Sequence, residues 1–200
     1  MFKKALVLSP HTDDAELGAG GTIANLAEKG CETSLFVFSW CENKKNIKAC
    51  KEACEILGID KIEIFDIERR HFPEQRQDIL QIMYDYNIEN KIDLVLTPTT
   101  TDLHQDHITV TKEAMRAFKG STILGYEIPW NNIQITTNCF IPLQKKYVDK
   151  KIQALNCYET QKDRHYFDDQ YFESILKMRG TQIQTKYAEA FEVIKYVPML

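Results

Sequence analysis

Two short segments of the sequence concentrate the side chains that bind metal ions. Residues 9–18 read Ser-Pro-His-Thr-Asp-Asp-Ala-Glu-Leu-Gly, and residues 97–107 read Thr-Pro-Thr-Thr-Thr-Asp-Leu-His-Gln-Asp-His. Three of the five histidines of the chain lie in these segments. Imidazole and carboxylate together suit a borderline ion such as zinc, and catalytic zinc commonly has three protein ligands and a fourth position for water. The two segments together predict a metal site.

Several ligand sets are compatible with these residues. His11, one of the two carboxylates Asp13 and Asp14, and one histidine of the second segment supply three ligands, and the other aspartate could then act as a general base on water. Each motif alone has an ordinary explanation, because an Asp-Asp pair after a strand is commonly a helix cap and a His-x-x-His pair commonly lies on the surface. Glu16 could cap the first helix or orient a metal ligand.

The elements that position the segments alternate between strands and helices. Apolar runs predict strands at residues 5–8, 33–39, 61–65, 92–96 and 122–126, and helical spacing predicts helices at 22–29, 47–57, 73–90 and 107–118. This order implies a mainly parallel sheet with helices on both faces. If the strand order is 3-2-1-4-5, the two segments follow neighbouring strands where the order reverses, and ligands bind in the crevice there.

The remaining residues are expected to complete the same domain. A short strand is predicted near residues 139–141, helices at about 147–160 and 168–178, and a final apolar segment at 191–197. We find no repeat, low-complexity stretch or linker rich in proline and glycine. Residues 1–200 are therefore interpreted as one domain, with its core at about residues 4–126.

Composition favours a soluble globular protein. The 200 residues are 44% hydrophobic and 27% charged, and the net charge of −4 argues against a general nucleic-acid binder. The apolar run near the N-terminus is shorter than a signal-peptide core, and no membrane span is expected. None of the six cysteines forms a Cys-x-x-Cys pair, so we expect reduced thiols in the cytoplasm, with Cys50 and Cys54 as small core residues.

Residues 11–18 and 20–24, together with residues 104–107, resemble the PIG-L/LmbE-like N-deacetylases. The signatures of that family are His-Pro-Asp-Asp, a glycine-rich helix start and His-Pro-Asp-His, and the resemblance spans residues 4–120. It implies a Rossmann-like three-layer α/β/α fold. It also implies zinc-dependent removal of acetyl groups from N-acetylglucosamine units, including glycolipid and thiol-glycoside precursors.

The resemblance also implies a role for each matching residue. The zinc ligands carried over by position are His11, Asp14 and His107. Asp13 would activate water and later protonate the departing amine. His104 would stabilise or protonate the tetrahedral oxyanion, and Asp106 would tune His104. Iron, cobalt or manganese could occupy the same ligands.

The sequence departs from the family pattern at two positions. Thr12 and Gln105 stand where the family usually has proline. Both residues lie between functional positions, so we expect them to change the stiffness of the loops more than the chemistry.

Three further residues are candidates for substrate binding. Arg70 and Arg76 follow the third strand and could bind a phosphate or sugar hydroxyls, although a solvated helix start explains them equally well. Trp130 could stack on a sugar face or simply pack. The glycines at residues 18–21 fit a dinucleotide fingerprint badly, because they begin too far from the first strand, and close helix packing is expected instead.

The sequence as a whole predicts a zinc-dependent N-deacetylase that acts on an N-acetylated amino sugar or its conjugate. Whether the sugar is free, nucleotide-linked or lipid-linked stays open, as does homo-oligomer formation. One alternative is the hydrolysis of another amide, such as an N-formyl sugar. The other is a non-catalytic module that binds a sugar or a metal, but such a module would have no need of Asp13 as a base.

Overall fold

A seven-stranded sheet lies at the centre of the protein, which we describe over residues 2–198 in a computed structural model. The strands are β1 (Lys4–His11), β2 (Glu32–Ser39), β3 (Lys61–Ile64), β4 (Leu94–Pro98), β5 (Thr122–Tyr126), β6 (Cys139–Pro142) and β7 (Ala188–Lys195). Their order is β3-β2-β1-β4-β5-β7-β6. The first five strands are parallel, whereas β7 pairs antiparallel with β5 and β6. This confirms the predicted α/β class. The predicted domain ends, residues 1 and 200, lie outside the described residues.

Helices cover both faces of the sheet. They are α1 (Asp14–Glu28), α2 (Lys44–Leu57), α3 (Arg76–Asn90), α4 (Gln105–Ala117), α5 (Lys145–Asn156) and α6 (Asp169–Thr181). Helices α1, α2, α5 and α6 pack over one face, and α3 and α4 pack over the other. Alternate residues of β1 face the two layers, so Val7 lies in one core and Leu8 in the other, both fully buried. A continuous apolar run is typical of such a central parallel strand.

Helix α1 begins at Asp14, well before its predicted start. Its first turns contain glycines, which are present because other elements pack closely against them. A Cβ atom on Gly18 would lie 2.1 Å from Cδ2 of Tyr126, and one on Gly21 would lie 2.4 Å from Cδ1 of Leu143. Glycine lowers helix propensity by about 1 kcal/mol relative to alanine, so the local pattern conceals this helical turn. The early start places Asp14 in the first turn of the helix, directly after β1.

The C-terminal elements lie close to their predicted positions and are fastened to α1 by a buried ion pair. Glu189 of β7 accepts hydrogen bonds from the backbone N–H groups of Gly21 and Thr22, at 3.0 and 2.7 Å. Lys151 of α5 donates to Glu189 and to the carbonyl of Leu17, both at 2.7 Å. Because both buried charges are well supplied with hydrogen bonds, the pair satisfies the condition for a tolerated buried ion pair. The C-terminal elements α5 and β7 therefore complete the structure around α1, the helix that begins in the first metal segment.

Three of the six cysteines are buried and three are half-buried. All six are free, and Cys50 and Cys54 are buried in the core, as expected. Within residues 2–198, no helix is both long enough and apolar enough to cross a membrane.

Gly18→Ala should destabilise the protein. The added methyl group overlaps a fully buried tyrosine, and overpacking of a core costs about 1–3 kcal/mol, which exceeds the gain of about 1 kcal/mol in helix propensity. Urea unfolding of the variant measures the effect. Gly120→Ala is the matched control, because a Cβ atom there meets nothing within 4 Å. Equal unfolding midpoints for the two variants would contradict this packing.

Candidate metal centre

The carboxyl ends of β1 and β4 bring the two predicted segments together. His11 ends β1, Asp14 begins α1, and His107 lies in the first turn of α4. Nδ1 of His11 lies 3.1 Å from Oδ2 of Asp14, and Nε2 of His107 lies 3.2 Å from the same oxygen. The two ring nitrogens are 3.3 Å apart. All three residues are buried, and their ligand atoms form a nearly equilateral triangle.

The triangle fits a tetrahedral zinc ion. Ligand atoms at the usual zinc distances of about 2.0–2.1 Å stand about 3.3 Å from one another in a tetrahedron. The three observed distances of 3.1–3.3 Å are close to that value. Two imidazoles and one carboxylate are also a donor set that suits zinc and neighbouring transition metals. The residues present therefore fit a divalent transition metal.

A carboxylate behind each histidine fixes which ring nitrogen can bind a metal. Nε2 of His11 lies 3.0 Å from Oδ2 of Asp106, and Nδ1 of His107 lies 2.8 Å from Oδ2 of Asp102. A neutral imidazole has one N–H group, and each carboxylate holds that hydrogen on the outer nitrogen. The lone pair of the inner nitrogen then faces Asp14. This is the arrangement by which outer carboxylates orient metal-binding histidines.

The charges of the cluster are strongly coupled. Burial lowers the pKa of His11, but hydrogen bonds to Asp106 and Asp14 outweigh burial and raise it to about 9. Burial likewise lowers the pKa of His107, whereas the charge of Asp14 and the hydrogen bond to Asp102 raise it to about 10. Burial opposes ionisation of Asp14, yet His107 and His11 hold its pKa well below the usual range. Metal binding would replace protons here, because a coordinating imidazole must be deprotonated.

Asp13 stands at the wall of the same cavity as the three ligands. It is the N-cap residue of α1, but its side chain makes no capping hydrogen bond, so the alternative explanation as a helix cap is not supported. Burial and the charge of Asp14 raise its pKa to about 6, against smaller opposing effects of His11 and Arg164. A carboxylate with a pKa near the operating pH is well suited to accept and return a proton.

His104 presents a neutral ring to the cavity. Its Nδ1 accepts a hydrogen bond from the backbone N–H group of Asp106, at 3.2 Å, so the ring hydrogen is on Nε2. Burial and the charges of His107 and His11 lower the pKa of His104. A neutral donor on the cavity wall can stabilise negative charge on a carbonyl oxygen.

Asp106 contacts a metal-ligand histidine more closely than it contacts His104. Its Oδ2 atom accepts hydrogen bonds from Nε2 of His11, at 3.0 Å, and from the backbone N–H group of Arg70, at 2.8 Å. Nδ1 of His104 is 3.9 Å away. The carboxylate of Asp106 therefore lies behind a metal ligand, and its negative charge also acts on His104, where it opposes the lowering of the pKa of that ring.

A cavity of about 540 Å³ opens at the metal centre, a volume typical of small-molecule sites. Trp130 lines it, as predicted, and its ring stacks on that of Tyr166 at 3.7 Å between centroids and an angle of 20°. One face of the indole is therefore covered by Tyr166, and Trp130 also packs against the hydrophobic core, so its stacking on a sugar stays a prediction. Arg70 also lines the cavity, together with Arg69 and Arg164.

Arg76, the other predicted substrate-binding arginine, does not line this cavity. Its guanidinium group pairs with Glu113 of α4, with nitrogen–oxygen distances of 2.6 and 2.8 Å. The prediction started α3 at Pro73, but the helix starts at Arg76 and turns that side chain towards α4. Its expected contact with substrate is corrected to a contact between two helices.

Glu16 adopts neither of the two alternatives proposed from the sequence. Its carboxyl group is fully buried and lies 2.7 Å from the hydroxyl of Tyr158, which donates a hydrogen bond to the carbonyl of Thr12. Burial raises the pKa of Glu16 well above the ordinary value. These contacts support the backbone that carries Asp13.

Sequence reasoning missed four residues of the site, namely Asp102, Arg69, Arg164 and Tyr166. Asp102 stands in the second metal segment, and its spacing from His107 is a signal that could have indicated a supporting carboxylate. Arg164 and Tyr166 belong to the connection between α5 and α6, where no local pattern indicates that the chain returns to the cavity.

Asp102→Asn should lower metal affinity about 10- to 100-fold, because the variant removes the charge that holds the hydrogen of His107 on Nδ1. Titration of zinc against a chromophoric chelator measures the change. The matched control is Asp60→Asn, whose carboxylate accepts a hydrogen bond from Thr33 at the opposite end of the sheet. Equal zinc affinity in the two variants would show that Asp102 does not orient the ligand.

Known proteins share both the sequence signature and the fold. Residues 6–118 match the PIG-L family, described as GlcNAc-PI de-N-acetylase. A relative from Escherichia coli K12, described as the uncharacterized deacetylase YaiS, is 27% identical over 170 residues, which cover 79% of this chain and 91% of that protein.

Two solved structures have the same architecture. N,N'-diacetylchitobiose deacetylase from Pyrococcus horikoshii has a TM-score of 0.77 and 20% identity, over 96% of this chain and 84% of that one. GalB, the 4-carboxy-2-hydroxymuconate hydratase from Pseudomonas putida KT2440, has a TM-score of 0.82 and 22% identity, over 99% and 98%. Such identities show the fold alone. Because the family match covers more than half of the chain and both metal segments, the protein belongs to the PIG-L deacetylase family.

Proposed function

We propose that this protein is a zinc-dependent hydrolase that removes the acetyl group from an N-acetylated amino sugar or its conjugate. The observation that carries the proposal is the triangle of His11, Asp14 and His107, with Asp13 on the wall of the same cavity. Those four groups provide a three-ligand metal position and a separate base. Membership of the PIG-L family supports acetamido groups as the substrate.

Hydrolysis of an amide needs a nucleophile, stabilisation of charge on the carbonyl oxygen and a proton for the departing nitrogen. A bound zinc ion would supply the acidity that makes water a nucleophile at neutral pH and would polarise the carbonyl group. Asp13 accepts the proton that water loses on attack at the carbonyl carbon. The C–N bond then breaks, and Asp13 returns that proton to the nitrogen, so the products are acetate and a free amine.

His104 donates a hydrogen bond to the carbonyl oxygen of the substrate. With Nδ1 occupied by a backbone N–H group, its ring presents Nε2–H as a donor, and this donor gains strength as negative charge develops on the oxygen. Donors of this type contribute about 10²–10³-fold to turnover. Asp102 and Asp106 act one step further out, because they touch the histidines and not the reacting atoms.

The fold by itself does not select this reaction, because a hydratase has the same architecture. Hydration and amide hydrolysis both need activated water, but only hydrolysis needs a proton for a leaving nitrogen. Asp13 can supply that proton, because it has accepted it from water in the preceding step. Hydration also needs a proton, which it delivers to carbon, so this capacity serves either reaction and the family match is what favours deacetylation.

Assay of the zinc-loaded protein tests the proposal. Acetate release is measured from N-acetylglucosamine and its methyl glycoside, beside the N-formyl counterparts and with a chelator-treated control. We expect acetate release that the chelator abolishes and added zinc restores. Faster release of formate than of acetate would favour the alternative amide, whereas bound zinc without release of either acid would favour a binding module.

Asp13→Asn should keep its zinc but lose about 10²–10⁴-fold in turnover, because the amide cannot take the proton of water. Metal analysis and acetate release on the same sample measure the two effects. Asp14→Asn is the companion variant and should lose the metal as well. Loss of zinc from the Asp13 variant, with zinc kept in the Asp14 variant, would mean that the two aspartates have exchanged roles.

A further inference from the structure

The glycines of α1 make room for a buried ion pair that contacts the backbone of the helix. A Cβ atom on Gly20 would lie 3.0 Å from Cγ of Lys151, and one on the next residue would lie 3.3 Å from Oε1 of Glu189. In a regular α-helix the N–H group of Gly21 donates to the carbonyl of Leu17. Here Glu189 accepts from that N–H group and Lys151 donates to that carbonyl, so the ion pair contacts both groups of one helical link. The path of the first turns of α1 therefore depends on α5 and β7.

A buried tyrosine just after α5 holds the same region from its other side. Tyr158 is fully buried, and its hydroxyl donates a hydrogen bond to the carbonyl of Thr12. The same hydroxyl oxygen lies 2.7 Å from Oε1 of Glu16, so it is fixed between two partners. The N–H group of Leu17, whose carbonyl the ion pair contacts, donates to the carbonyl of Asp13 at 3.0 Å. The region of α5 therefore holds the backbone on both sides of Asp13.

The two neighbouring aspartates differ in what fixes their side chains. The carboxylate of Asp14 accepts a hydrogen bond from the backbone N–H group of His11 at 2.8 Å and lies against both metal-binding rings. The side chain of Asp13 makes no capping hydrogen bond. A shift of the backbone therefore displaces the carboxyl group of Asp13 more than that of Asp14. Such a shift matters, because a displacement of about 1 Å at a reacting group can reduce a rate about 10²-fold.

We infer that Lys151 and Tyr158 are positioning residues that hold Asp13 in place beside the metal position. The inference rests on the proposed function, because it takes Asp13 as the base of the reaction. Neither positioning residue is among the described residues that line the cavity at the metal centre, so both act through the backbone of α1. Their effect is therefore on kcat, which depends on the position of the base, more than on KM or on zinc affinity.

A second explanation is that both residues only stabilise the packing of α5 on α1. In that case their removal would lower the free energy of unfolding, but it would not change the turnover of molecules that stay folded and loaded with zinc. In our proposal the turnover per bound zinc falls, and the fall requires Asp13. The two explanations therefore differ in a double-mutant cycle.

Tyr158→Phe removes one oxygen atom and keeps the buried ring. We expect kcat per bound zinc, measured on the methyl glycoside of N-acetylglucosamine, to fall about 10- to 100-fold, with KM and zinc affinity changed less than about threefold. Tyr86→Phe is the matched control, because its hydroxyl donates to Ser34 at 2.8 Å near the opposite end of the sheet. The control should keep kcat. Equal kcat in the two variants would overturn the inference.

The same substitution in the Asp13→Asn background shows whether Tyr158 acts through the base. Once Asp13 is replaced, the hydroxyl of Tyr158 has no base to position. Tyr158→Phe should then change the remaining turnover less than about twofold. A loss by the same factor in both backgrounds would mean a general effect on the fold, which contradicts the inference.

The role of Lys151 is tested with the neutral pair Lys151→Met and Glu189→Gln, which leaves neither buried charge alone. The matched control is Arg179→Met with Glu127→Gln, because this second buried pair, at 2.6 and 2.9 Å, joins α6 to the residue after β5. We expect kcat per bound zinc to fall about tenfold or more in the first double variant and to stay unchanged in the control. The same kcat in both would remove Lys151 from the proposal. Since Tyr158→Phe changes a single atom, its outcome does not depend on whether the ion-pair variant folds.

Amide hydrogen exchange of the zinc-free protein separates this inference from the proposed function. The amide of Leu17 should exchange faster in Tyr158→Phe than in Tyr86→Phe, because its hydrogen bond to Asp13 lies in the segment that Tyr158 holds. Acetate release by the wild type, with exchange and kcat unchanged in Tyr158→Phe, would refute the inference and leave the deacetylase proposal standing. Faster exchange in Tyr158→Phe, without acetate release by the wild type from any substrate, would refute the proposed function and keep the contact that fixes residues 12–17.

Discussion

The parallel pairing of β1 with β4 is the constraint on which the metal centre depends. Val7 is opposite Leu96 in this pairing, so the strands end at the same edge and deliver His11 and the start of α4 to one point. A slip of one residue would move a strand by about 3.3 Å and turn alternate side chains to the other face. That displacement equals the whole distance between the ring nitrogens of His11 and His107. Burial of both faces of β1 fixes the register.

Asp106 connects the candidate metal position to the segment of the cavity wall that contains Arg69 and Arg70. One of its oxygens accepts hydrogen bonds from the ring of His11 and from the backbone of Arg70, so the orientation of a metal ligand and the path of the arginine segment share one carboxylate. Gln105, the neighbouring residue, holds the same segment from its other side. The second segment thus contributes His107 to the candidate metal triangle and also positions part of the cavity wall.

The sequence predicts those parts of the site that follow from local patterns and one topological rule. His11 and His107 could be paired because buried strands 1 and 4 are neighbours at the reversal of strand order. The start of α1 could not be predicted from the local sequence. Glycine is needed at position 18 because the side chain of Tyr126 packs against it, and Tyr126 lies in β5, far away in the sequence. Arg164 was missed for the same reason. Its position in the cavity depends on how α5 and α6 pack, and the hydrophobic periodicity of the sequence does not indicate that packing.

A hydratase and a deacetylase share this architecture. The side chains at the edge of the sheet must therefore determine which reaction a protein with this fold catalyses. The metal triangle is too general to distinguish them, since both reactions require activated water. In the proposed reaction, Asp13 and His104 act on the protons and the charge, and the wall of the cavity limits what can be attached to the reacting group. Because Asp106 and Gln105 connect that wall to the metal segment, a change in substrate preference cannot be made wholly independent of the metal centre. Arg164 is held by Tyr166 instead, but its charge lowers the pKa of Asp13, so changes at Arg164 also affect the metal end of the cavity.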